Sequence, residues 1–87
     1  MNTAKLIKMA NQIGAFFDAM PDREQAVNDV ATHISRHWEP RMRAALARHL
    51  VLHGDAELMP IVRHALPLLD DFRVAVVPTP DERTGRQ

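Results

Sequence analysis

Histidines are the residues best suited to chemistry in this chain, and four of the five fall into pairs. His33 and His37 stand four apart, as do His49 and His53. That spacing sets two imidazoles on one face of a helix, which is how a two-histidine metal site begins. Such a site needs a third and usually a fourth ligand. Neither pair has the intervening glutamate of a His-Glu-x-x-His pattern. Joining the two pairs would require their helices to face each other. His37 borders Trp38, and His49 belongs to an apolar stripe. The spacing therefore fits packed or solvated histidines better than ligands, and no metal residue is assigned.

Other chemistry has less to build on. Ser35 lies between His33 and His37, but residues two apart on a helix do not face each other, so a nucleophile–base pair is not formed there. Asp70-Asp71 has the look of a helix end rather than a carboxylate pair. Three glycines, at 14, 54 and 85, make no phosphate-binding loop. The absence of cysteine removes disulfides, thiolate zinc sites and cysteine-ligated iron–sulfur clusters. No catalytic or cofactor-binding residue is assigned. Arg36, Arg41, Arg43 and Arg48 cluster in sequence and raise an alternative, a small helical regulator binding nucleic acid through Arg36–Arg48. Against it, eleven Lys+Arg balance eleven Asp+Glu, whereas nucleic-acid binding brings a basic surplus.

Four short helices would have to position these residues. From Thr3 to Met20, Leu6, Met9, Ala10, Ile13, Phe16, Phe17 and Met20 recur at steps of three and four, the mark of one apolar face. Asn2 or Thr3 can cap the start. Asp22 with Gln25 has capping-box spacing and opens a second helix, whose stripe is Ala26, Val27, Val30, Ala31, Ile34 and Trp38. Pro40 fits the first position of a third helix, with Met42, Ala45, Leu46, His49 and Leu50 on its face and Gly54 at its end. Pro60 opens a fourth, carrying Ile61, Val62, Ala65, Leu66 and Leu69, with a kink or stop expected near Pro67. The fold class is thus all-α, a small bundle of four short helices over residues 1–70. Residues 71–87 read as an extended, partly disordered tail, and the run from Phe72 to Val77 could add to a partner's sheet edge.

A domain of 87 residues buries a marginal core, and small domains often rely on a partner. Several residues suit that role. Asn11 and Gln12 interrupt the first helix beside Gly14, where better helix formers would serve. Trp38, the single tryptophan, sits at a helix junction next to Pro40, Arg41 and Met42. Trp, Met and Arg are enriched in interface cores. Trp38 could equally plug the bundle's own core, with Asn11 and Gln12 exposed. No apolar h-region follows the N-terminus, and apolar runs fall far short of the roughly 20 residues of a membrane span. A cytoplasmic, soluble protein is expected.

Two strings carry a family resemblance. Residues 5–17, Lys-Leu-Ile-Lys-Met-Ala-Asn-Gln-Ile-Gly-Ala-Phe-Phe, and residues 33–43, His-Ile-Ser-Arg-His-Trp-Glu-Pro-Arg-Met-Arg, resemble the delta subunit of NAD-dependent, molybdenum-containing formate dehydrogenase. Leu58–Leu66 fits a third, looser segment, and the likeness spans roughly residues 3–68. Glu39 departs from the more usual Asp while still allowing a cap before Pro40. The resemblance implies a non-catalytic accessory subunit that supports assembly or stability of a complex oxidising formate to carbon dioxide with NAD⁺. It places molybdopterin guanine dinucleotide, iron–sulfur clusters and FMN in partner subunits. The expected partner is chiefly the large catalytic subunit, with no nucleic acid and no membrane. The partner-binding residues expected are Asn11, Gln12, Gly14 and Phe17 on the first helix, and Trp38, Pro40, Arg41 and Met42 at the second junction.

Overall fold

The computed structural model describes residues 2–72. Helix α1 is Thr3–Asp18, α2 is Arg23–His37, α3 is Pro40–His53 and α4 is Pro60–Ala65, followed by a 3₁₀ turn at Leu66–Leu68. No strand occurs among the described residues, so the fold is all-α as its periodicity predicts. The expected tail beyond residue 72, including most of the run to Val77, lies outside the described residues.

Local chemistry sets the helix ends. The Asn2 side chain accepts the Lys5 backbone N–H at 3.3 Å, and Asp22 accepts that of Gln25 at 3.1 Å. Each satisfies one donor that a helix start leaves unpaired. The capping box is only half made, because the Gln25 side chain donates forward to Asp29 at 2.9 Å. Glu39 makes no side-chain cap, so α3 relies on Pro40 at its first turn, as α4 does on Pro60. Gly54 ends α3 at φ 81°, a left-handed value that side chains with a Cβ rarely adopt. Pro67 lacks the N–H that would continue α4, and the chain tightens into the 3₁₀ turn.

One hydrophobic core joins all four helices. Helix α2 packs on both α1 and α4, and α1 also touches α3 and α4. The stripes expected on α2 and α4 are the buried ones, except that Val27 is only half-buried. On α1 the buried line is Leu6, Ile7, Ala10 and Gly14, displaced from the expected one. Met9, Ile13 and Phe17 flank the core half-buried, and Phe16 stands 73% exposed. The core also reaches past the expected boundary at residue 70. Phe72, read as the opening of the tail, is fully buried, and residues 70–72 are again helical.

Gly14 owes its place to α4. A Cβ there would lie 2.6 Å from Val62 Cγ2 and 3.1 Å from Ile61 Cγ2. Val62 is buried and β-branched, so it has little room to turn away. Alanine would gain about 1 kcal/mol of helix propensity, but overpacking typically costs about 1–3 kcal/mol. Gly14→Ala is expected to lower stability by up to about 2 kcal/mol net in urea unfolding. A gain in stability would show that α4 yields freely.

Candidate docking groove

The apolar residues that α1 does not bury form one wall of a groove. Met9, Ile13, Phe16 and Phe17 line it with Gln12. The last two turns of α2 contribute His33 and His37, and the α2–α3 junction contributes Trp38 and Met42. The groove encloses about 540 Å³. Across it runs a chain of rings. Phe16 meets Phe17 edge-on at 5.0 Å, Phe17 meets His33 at 6.2 Å, and His33 lies 4.5 Å from His37. Edge-on packing of this kind is the favoured arrangement for aromatic pairs.

Four of the eight expected partner-binding residues come together here: Gln12, Phe17, Trp38 and Met42. Pro40 and Arg41 are exposed at the start of α3 but do not line the groove. The remaining two serve the fold itself. Gly14 is closed off by α4. Asn11, half-buried rather than exposed, donates from Nδ2 to the Glu57 carbonyl at 3.0 Å and accepts the Met59 N–H at 2.9 Å. One side-chain amide thus satisfies both a donor and an acceptor of the α3–α4 loop. The structure also decides the open question over Trp38, which is only 5% exposed and belongs to the core while showing part of its surface to the groove.

The His49 and His53 rings lie 4.8 Å apart, tilted by 40°, and His49 Nε2 lies 3.2 Å from Glu57 Oε1. Among the described residues no group of three or more His, Asp or Glu could hold a metal ion. Within the arginine cluster, Arg43 is held by three hydrogen bonds. Its Nε donates to Asp71 Oδ2 at 2.6 Å, and Nη1 donates to the carbonyls of Trp38 at 2.7 Å and Ser35 at 3.3 Å. It therefore caps the carbonyl end of α2 from α3 and fastens the segment that carries Phe72. No local sequence signal reveals this clamp, since Asp71 lies 28 positions away. The groove residues Met9, Ile13, Phe16, His33 and His37 did leave a signal. The α1 stripe is broader than one core face needs, and the two histidines share a helical face.

A family model described as NADH-dependant formate dehydrogenase delta subunit FdsD matches residues 5–66. The chain belongs to the FdsD family. No curated protein and no solved structure matches it. The matched segment holds the whole groove, as well as Asn11 and Gly14, so this FdsD-family chain carries its candidate site within the family's own span. Leu69 and Phe72, both buried, lie beyond it. Among the described residues no helix is long and apolar enough to cross a membrane.

Proposed function

We propose that this FdsD-family chain is a non-catalytic accessory subunit of a formate dehydrogenase. It docks through the groove onto the other subunits, chiefly the large catalytic one, and supports assembly or stability of a soluble, cytoplasmic complex. The observation that carries this reading is the groove itself, an apolar surface rimmed by Phe16 at 73% exposure within a family of enzyme subunits. Large exposed apolar patches mark interaction sites, and clustered aromatic anchors supply most interface energy. Molybdopterin guanine dinucleotide, iron–sulfur clusters and FMN would then sit in partner subunits. This chain has no cysteine to offer a cluster.

Co-expression with the remaining subunits, with and without this chain, tests the proposal. The chain is expected in stoichiometric amounts in the purified active complex, and its omission is expected to lower the yield or lifetime of that complex. Phe16→Asp, at an exposed position, should leave the circular dichroism spectrum unchanged while cutting retention about tenfold or more. A complex equally abundant, active and durable without the chain would refute the supporting role.

A further inference from the structure

The groove has an electrostatic character that its apolar lining does not reveal. None of its lining residues is acidic. At Met9 and Gln12 it runs on into a second depression whose lining includes Lys5 and Lys8 and, again, no acidic residue. Lys5 stands one turn before Met9 on α1, and Lys8 one turn before Gln12, so the two ammonium groups extend the groove-lining rows. Neither side chain has an ion-pair partner among the described residues. Of the acids nearby, Asp18 pairs with Arg23 at 2.6 Å. Glu57 borders a further depression on the other side of Lys8 and Gln12, and its Oε1 lies 3.2 Å from His49 Nε2. Asp29 keeps its charge, since its partner at 2.9 Å is the neutral Gln25 amide, but it does not line the groove. Glu39, beside Trp38, is exposed, but Arg36 and Arg41 on the same stretch are also exposed and outnumber it. The groove thus has an apolar aromatic body and a cationic extension at the start of α1.

We infer that the groove receives an amphipathic segment of a partner formate dehydrogenase subunit, with a large apolar anchor seated against Phe16, Phe17 and Met42 and acidic side chains reaching Lys5 and Lys8. This rests on the docking function proposed above and specifies the chemistry of its partner. Helix-in-groove recognition joins apolar anchors to flanking charges in this way. A body of about 540 Å³ holds the anchor side chains of such a segment rather than the whole of it. The two lysines lie at the rim, where charge complementarity governs the association rate and the choice of partner.

The test uses the full chain in the co-expressed complex. A photoreactive benzoylphenylalanine in place of Phe16 is expected to cross-link to one segment of a partner subunit containing both large apolar and acidic residues. The double variant Lys5→Glu/Lys8→Glu is expected to bind chain-free complex about tenfold more weakly at low salt, with the deficit shrinking as salt rises. Lys5→Arg/Lys8→Arg should restore binding. Cross-linking to a partner segment without acids, or an unaltered affinity of the Glu variant, overturns the inference and leaves the docking function standing. Cross-linking to a second copy of this chain or to its own residues 73–87 overturns it as well, as does a failure to cross-link in a complex that retains the chain. A wild-type chain that never joins the complex overturns the docking function, and the inference with it.

Discussion

Replacing Trp38 with alanine is expected to destabilise the free domain by about 3–5 kcal/mol, the usual cost of emptying a large aromatic site in a core. Trp38 is 5% exposed and packs in the same cluster as Ile34 and Leu46. Its backbone carbonyl is held by Arg43 at 2.7 Å, so the main chain cannot easily collapse into the space left behind. Small domains have little reserve, since total stabilities run about 5–15 kcal/mol. Thermal unfolding should therefore shift down by roughly 15 °C or more, or the variant should fail to fold. A loss below about 1 kcal/mol would mean that Trp38 packs mainly against a partner. The same argument governs any docking experiment at this position. Lost co-purification of Trp38→Ala would report lost folding, and the contribution of the groove is better probed at exposed Phe16.

Replacing Phe72 with alanine should cost a similar amount, about 3–5 kcal/mol in guanidinium unfolding, with the midpoint lowered. Phe72 is the largest fully buried side chain among the described residues. Its N–H bonds to the Leu69 carbonyl at 3.0 Å, and its neighbour Asp71 is gripped by Arg43. The variant thus separates two views of the domain boundary. If the helical unit closed at residue 70, the substitution would be nearly silent. If the core closes at Phe72, it is among the most damaging changes available.

The features legible in the sequence are those that depend on neighbours within a turn. Asn2, Asp22, Pro40, Gly54 and Pro60 act on backbone within their own turn, so the helix ends they set could be read locally, whereas α1 stops at Asp18, short of the expected Met20. The stripes of α2 and α4 were legible because nearly all their apolar residues are needed inside. Helix α1 differs. It has apolar residues for two surfaces, and periodicity records the breadth of a face without saying which part meets the core. Hence Ile7 and Gly14 took positions that Met9, Ile13 and Phe16 were expected to share. Phe72 was obscured by Asp70 and Asp71 before it and by the β-branched run after it. Asn11 was recognised as unusual for a helix interior, but the loop it holds lies too far along the chain for spacing to identify.

That distance governs how the subunit comes into being. The Asn11 side chain is completed by groups 46 and 48 positions later, Arg43 by one 28 positions later, and the core by Phe72. Until those residues leave the ribosome, α1 and α2 are short helices of 16 and 15 residues with neither α4 nor Phe72 to close the core. Helices of that length are marginal alone in water. Folding therefore waits for nearly the whole matched segment and the residues just beyond it to be synthesised. A chain cut short before residue 72 lacks one or more of the groups that complete Asn11, Arg43 and the core, however well its first two helices are encoded.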